Sequence, residues 1–142
     1  MVDPKQLADA VWSGDRAMVD ALLVAGADPN LAEEDRWPPI HLAIEVGHKE
    51  IIRRLIAAGA DINRALEKGF TPLAHAIDVE SDVAWQRFCE PNRASTELTE
   101  LLLDAGAIPS SEAFRLAQDY GNRRALDALH RRQRDSTKDG AE

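Results

Sequence analysis

The chain has 142 residues, of which 44% are hydrophobic and 30% charged, and its formal net charge is -8 at pH 7; this composition is typical of one soluble globular domain. The acidity disfavours nucleic acid and anionic membrane surfaces as partners and favours a partner protein with a basic surface. Moderate acidity also aids solubility alone, and that interpretation stays open beside the first.

The first predicted element is a helix that begins near the amino terminus, where Asp3 can cap it and Pro4 can occupy its first position. A second helix follows, and its apolar side chains have helical spacing: Val19, Leu22 and Leu23. Gly26 then favours the left-handed conformation that ends a helix. These two helices form a first repeat over about residues 3–30.

The ending of the second helix recurs along the chain. Gly26, Gly59 and Gly106 each stand in a Leu-X-X-Ala-Gly-Ala phrase, at intervals of 33 and 47 residues. Pro39 and Pro72, which suit a first helical turn, are also 33 residues apart. The chain therefore repeats every 33 residues, and because 47 is 33 plus 14, the third repeat carries a 14-residue insertion.

The insertion covers residues 80–93, where the two helices of the third repeat should turn. Val83, Ala84 and Phe88 keep a helical spacing, which predicts that the first helix runs on until Pro91 ends it. Trp85 and Phe88 lie on one side of that helix. They form either a ledge for a partner or rings that fold back over the repeats.

A fourth repeat follows, and its second helix is polar, as expected of a terminal repeat with a solvated outer face. We predict one domain over residues 1–133, with repeats at about 3–30, 31–63, 64–109 and 110–133. The polar residues 134–142 are predicted to be a disordered tail.

These motifs resemble the ankyrin repeat family over about residues 7–129. The resemblance rests on the helix starts Pro38-Pro39-Ile40-His41 and Thr71-Pro72-Leu73-Ala74, the Gly47-His48 turn and the Gly-Ala-Asp ending. It implies an all-α solenoid of helix-turn-helix repeats with short hairpin loops. The chain departs from the pattern where Arg36 stands at the usual glycine of a hairpin and where the third helix-start histidine is displaced to His75.

The resemblance also implies protein binding through the hairpin tips and the exposed face of the first helices, which form a concave face. Those positions, with one addition from the insertion, hold the candidate contact residues Trp12, Trp37, Glu45, Phe70, Asp78, Val79, Trp85 and Tyr120. Exposed rings are typical anchors, and surrounding carboxylates favour a basic partner. The alternative is that the rings pack on their own repeats and the carboxylates are only solvated.

We predict a protein-binding function, and the small, acidic chain with its aromatic face suggests a stoichiometric inhibitor or immunity-type protein. The alternatives are an adaptor for several partners, or a small-ligand or metal-binding protein centred on His75 and the insertion. No enzyme activity is expected, because Cys89 has no activating base nearby and the sequence has neither a phosphate-binding glycine loop nor a serine elbow.

Cofactors and targeting segments are also not expected. The single cysteine cannot form an internal disulfide, and no histidine and cysteine cluster has zinc-ligand spacing. The first residues lack the basic start and apolar run of a signal peptide, and no stretch approaches the ~20 apolar residues that span a bilayer. We therefore expect a cytoplasmic protein without a metal or another cofactor.

Overall fold

The structure, a computed structural model, describes residues 2–139, which contain eight α-helices and no strand. The helices are α1 (Pro4–Ser13), α2 (Arg16–Val24), α3 (Pro39–Val46), α4 (Lys49–Ala57), α5 (Pro72–Phe88), α6 (Glu97–Asp104), α7 (Ser111–Tyr120) and α8 (Arg123–Asp139). Two 3₁₀ turns cover Glu67–Gly69 and Pro91–Arg93. The predicted all-α, helix-turn-helix organisation is confirmed.

The helices belong to two compact units, an N-terminal unit up to Ile62 and a C-terminal unit from Asn63. In the N-terminal unit α1 packs on α2 and α3, and α4 packs on α2 and α3. In the C-terminal unit α5 packs on α6 and α7, and α8 packs on α6 and α7. Each unit therefore buries helix faces between neighbouring repeats as well as within them, as repeat proteins do.

Small and branched aliphatic side chains form the core of each unit. In the N-terminal unit the fully buried side chains include Val11, Val19, Ala43, Ile44, Ile51, Ile52 and Leu55. In the C-terminal unit they include Ala74, Ala76, Ile77, Leu102, Ala113, Ala117, Ala125 and Leu129. The many alanines on the first helices allow those helices to approach closely.

The helix starts follow from local capping. Asp3 accepts a hydrogen bond from the backbone N–H of Lys5 at 3.0 Å, directly before Pro4. Thr71 and Ser110 cap α5 and α7 through their hydroxyl oxygens, each at 3.2 Å from the backbone nitrogen of the third residue of its helix. Each cap satisfies a backbone donor that the helix itself leaves without a partner.

The recurring glycine ends each second helix in the predicted left-handed conformation, with φ of 99° at Gly26, 100° at Gly59 and 105° at Gly106. At the first of these, the N–H of Ala27 donates to the carbonyl of Leu22 at 2.9 Å. The corresponding residues make the same bond at the Gly59 and Gly106 endings. Such endings satisfy the last carbonyls and turn the chain out of the helix, which is why the phrase recurs.

Asparagines connect the loops of successive repeats. The Asn30 side chain donates to the carbonyl of Gly59 at 3.0 Å and accepts from the N–H of Asp61 at 2.6 Å. Asn63 accepts from the N–H of Ile108 at 2.9 Å. These bonds fix the spacing of the loops within each unit.

The insertion extends α5 as predicted, since the helix continues to Phe88 and ends with Cys89 in a left-handed conformation at φ 53°. The carboxyl end of the chain differs from the prediction, because α8 continues to Asp139 and residues 134–139 are helical, not a disordered tail. No proline or glycine interrupts this stretch, and its arginine, glutamine and lysine residues favour helix. The remaining predicted tail, residues 140–142, lies outside the described residues.

Candidate functional site

An open groove lies between α1 and the loop before α3 in the N-terminal unit, and we call it the Trp groove. Its volume is about 480 Å³. It is lined chiefly by Asp9, Trp12, Asp35, Arg36, Trp37 and Leu42. Two sequence-predicted contact residues, Trp12 and Trp37, are therefore brought together at one site.

The two indoles of the Trp groove are solvent-accessible, although tryptophan side chains are highly buried on average. Trp12 is 56% exposed, because the buried side of α1 is formed by Leu7, Ala8 and Val11. Trp37 is 41% exposed and its ring lies 6.5 Å from the ring of the buried His41. Trp12 is thus carried by a helix and Trp37 by the loop before α3, and both remain accessible to solvent.

The loop that carries Trp37 has an unusual tip. Asp35 takes the left-handed conformation at φ 66°, and Arg36 follows at the position where the resemblance predicts glycine. One repeat later, Lys68 and Gly69 both have positive φ, at 60° and 73°. Arg36 is not among the positive-φ residues, so the first of these loops turns without a glycine and has room for a long side chain at its tip.

Arg36 bridges the loop and α1. Its Nη1 lies 3.3 Å from Oδ1 of Asp9, and its Nε lies 3.4 Å from Oε2 of Glu33. With Asp35 on the lining, the Trp groove has three carboxylates beside one guanidinium. Its surroundings are therefore net acidic as well as aromatic.

Glu45 is exposed on α3, but it is not among the residues that line the Trp groove. Val79 is half-buried on α5 in the C-terminal unit. Glu45 and Val79 remain predicted contact residues, but neither lines the Trp groove.

Asp78 and Tyr120, which the sequence analysis also singles out, form a pair within the C-terminal unit. The phenol of Tyr120 on α7 donates to Oδ1 of Asp78 on α5 at 2.9 Å. Partial burial and the hydrogen bond to Asp78, with the negative charges of Asp78 and Asp82, raise the pKa of Tyr120 to about 12. The phenol is thereby kept protonated and tied to its neighbouring helix.

Phe70 is half-buried, and its ring packs 5.0 Å from the ring of His75, which is itself buried. Through this contact His75 packs in the core of its repeat. Among the residues that the structure describes, no group of three or more histidine, cysteine or acidic side chains could hold a metal ion.

The insertion carries two aromatic rings, Trp85 and Phe88, whose surroundings differ. Trp85 is 45% exposed on α5. The guanidinium of Arg93 lies 4.1 Å above the centroid of the Phe88 ring, so Phe88 has a cation partner within its own repeat. Buried Ser81 and Ala84 hold this part of α5 against the unit.

Asp9 is a functional candidate that the sequence analysis missed. Its contact with Arg36 spans 27 residues, and nothing in the local pattern of α1 indicates it. The available signal was Arg36 itself. A long charged side chain at a hairpin glycine position departs from the repeat pattern and raises the question of which residue pairs with its charge.

The family described as ankyrin repeats matches residues 7–113 of the chain, in three copies. A comparison with curated proteins finds no match. In the described part of the chain, no helix is both long enough and apolar enough to cross a membrane.

Proposed function

Because the chain belongs to the ankyrin repeat family, whose repeats form protein-protein interaction modules, we propose that it binds a partner protein through the Trp groove. The observation that carries the proposal is that two exposed indoles, Trp12 and Trp37, line one groove. Such rings lose little conformational entropy on binding and supply large contact areas, so they are frequent anchors of interfaces.

The proposed partner has a basic surface. Asp9, Glu33 and Asp35 surround the indoles, and the chain as a whole is acidic. Complementary charge would raise the association rate and disfavour acidic competitors. Further proposed contacts are Glu45 in the N-terminal unit and, in the C-terminal unit, Phe70, Asp78, Val79 and Tyr120.

The mode of action that we propose is stoichiometric inhibition of the partner in the cytoplasm, as an immunity-type protein does. A small acidic module with a preformed groove acts by covering a surface, which needs no chemistry of its own. Ankyrin repeat proteins are in general non-enzymatic interaction modules, which is consistent with this role.

The test compares wild type with the double variant Trp12→Ala, Trp37→Ala as bait in native lysate, with Met18→Ala as control. Met18 is an exposed apolar residue on α2, outside the residues that line the Trp groove. A protein retained by wild type and Met18→Ala but lost by the folded double variant supports the proposal. Equal retention by all three baits contradicts it.

One observation favours a second candidate function, that of an adaptor with two partners. Trp85 is a further exposed indole, and it stands on the insertion in the C-terminal unit. If the chain is an adaptor, Trp85→Ala loses a different protein from the one that the double variant loses. If Trp85→Ala retains everything that wild type retains, the adaptor function is contradicted.

A further inference from the structure

Arg36 occupies part of the surface that the proposed function assigns to a partner. Its guanidinium reaches from the loop to Asp9 on α1 while also facing Glu33, and both its own side chain and that of Asp9 are largely exposed, at 44% and 58%. An exposed ion pair of this kind contributes little to stability because water and salt compete for both partners. The contact is therefore weak enough for another cation to replace it.

The surroundings of Arg36 have the features that recognise a guanidinium. The Asp9 carboxylate on α1 accepts a hydrogen bond from Nη1 of Arg36, the Glu33 carboxylate on the loop forms an ion pair with its Nε, and two indoles line the same groove. A guanidinium makes directed hydrogen bonds to carboxylates and stacks on aromatic faces, whereas an ammonium acts as a strongly hydrated point charge. In this groove one guanidinium, that of Arg36, already contacts two carboxylates, and that arginine belongs to the chain itself.

We propose that Arg36 is an internal competitor for the arginine of a basic partner segment, which enters the Trp groove and displaces Arg36 from Asp9. This inference rests on the proposed function and adds the chemistry of the partner: an arginine flanked by apolar residues that cover the indoles. Arg36 then acts as a specificity-determining residue, because it lowers the affinity for every cation and leaves only segments with good apolar contacts bound.

If Arg36 competes with the partner's arginine, its substitution should strengthen binding, whereas the loss of an ordinary contact residue weakens binding. Removal of the Arg36 charge frees Asp9 and Glu33 for the incoming guanidinium, so affinity should rise. Because an exposed ion pair contributes at most about a kcal/mol, the rise should be about three- to five-fold.

The matched control is Arg53→Gln. Arg53 is an exposed arginine of the same unit that pairs with Glu50 on α4, outside the lining of the groove. Arg36→Gln and Arg53→Gln change the net charge equally, so any difference between them reports the groove and not long-range attraction.

The probe is an acetylated and amidated hexapeptide of alternating leucine and arginine, with lysine and glutamate versions of the same peptide, titrated calorimetrically into the full chain. We expect the arginine peptide to bind Arg36→Gln about three- to five-fold more tightly than wild type, to bind Arg53→Gln within about two-fold of wild type, and to bind better than the lysine peptide.

Three results overturn the inference: equal affinities of the arginine peptide for the two glutamine variants, no binding of it to Arg36→Gln, or binding of the glutamate peptide that is lost in Arg36→Gln. The last result would identify an acidic partner segment that Arg36 itself contacts. Capture of a lysate protein that depends on Trp12 and Trp37 but not on Arg36 would leave the proposed function intact while contradicting this inference.

Discussion

Gly14 and Gly47 end the first helices of the first two repeats with the same left-handed backbone, at φ +74°, but their surroundings differ. A Cβ atom at Gly14 would lie 2.4 Å from Nε2 of His48, whereas a Cβ atom at Gly47 would have no neighbour within 4 Å. Both positions favour glycine for conformational reasons. Only at Gly14 does the absence of a side chain also make room for the His48 ring.

We expect Gly14→Ala to destabilise the chain more than Gly47→Ala. The left-handed backbone costs about 1 kcal/mol in either variant, and Gly14→Ala must in addition displace the His48 ring, for a total of about 2–3 kcal/mol. Urea unfolding of the two variants, with and without His48→Ala, measures the difference. If the gap between them persists unchanged without the His48 ring, steric conflict is not its cause.

Tyr120 offers a spectroscopic prediction, because it is the only tyrosine in the chain. Its raised pKa of about 12 follows from partial burial and from the carboxylate of Asp78, which accepts a hydrogen bond from its hydroxyl. In Asp78→Asn the phenol should therefore ionise at lower pH, closer to its ordinary value of 10.0. Absorbance of the phenolate between about pH 9 and 12 reports the shift directly.

The matched control for that titration is Asp119→Asn, which removes an exposed carboxylate from α7 one residue before Tyr120. Circular dichroism at each pH confirms that the chain is folded. Equal titration curves for wild type and Asp78→Asn would show that the negative charge of Asp78 has no influence on the phenol.

At the scale of elements, the unusual length of α5 traces to one position. Gly14, Gly47 and Gly121 end the first helices of the other repeats in the left-handed conformation. Glu80 stands 33 residues after Gly47, where that glycine is expected. Because a glutamate favours continuation of the helix, α5 proceeds through the insertion.

Glu80 also caps the next helix. Its buried carboxylate accepts from the N–H groups of Leu98 and Thr99, at 3.2 and 3.0 Å, and from the hydroxyl of Thr99 at 2.7 Å. The side chain therefore supplies from α5 the acceptors that the first turn of α6 needs. Truncation to alanine should cost about 1–3 kcal/mol, because those buried donors would lose their acceptor.

The protonation of Glu80 should be visible in the pH dependence of stability. Burial raises its pKa above the ordinary 4.5, against the opposing effect of its hydrogen bonds. The folded chain then binds this proton more tightly than the unfolded chain, so the contribution of Glu80 is largest below about pH 4.5 and is lost as pH rises through the folded pKa.

Glu80→Gln, which is neutral at every pH, isolates this contribution from those of the other carboxylates. We expect the free energy of unfolding of wild type, relative to Glu80→Gln, to fall as pH rises from about 4 to 7. Urea unfolding at a series of pH values measures it. A relative stability that rises over that range would show that the hydrogen bonds outweigh burial and depress the pKa.

At the scale of the whole molecule, most of the fold could be predicted because its determinants are local and recur. In the first three repeats, the glycine that ends the second helix and the proline in the first turn of the first helix identify the repeats by themselves. The extension of α5 was also predictable from helical spacing in the insertion. The helical end of α8 was missed because polarity was taken as disorder, although nothing in residues 134–139 breaks a helix.

The candidate site was predictable only in part. The repeat period places Trp12 and Trp37 in exposed columns, but it does not reveal the contact between Arg36 and Asp9, which crosses from one repeat to the next. Likewise, the pairing of Tyr120 with Asp78 spans 42 residues, and the sequence alone could not distinguish this internal bond from a surface contact. Side-chain partners over such separations follow from packing, not from periodicity.

The central claim is that the Trp groove binds the partner, and the most direct measurement is the affinity of the captured protein for purified variants. Trp12→Ala, Trp37→Ala should weaken binding roughly 1,000-fold, since each of the two anchoring rings contributes about 2 kcal/mol, while Met18→Ala should stay within about two-fold of wild type. All three chains should unfold at similar urea concentrations, because the substituted side chains are exposed. Equal affinities of the double variant and Met18→Ala for the partner would contradict the account.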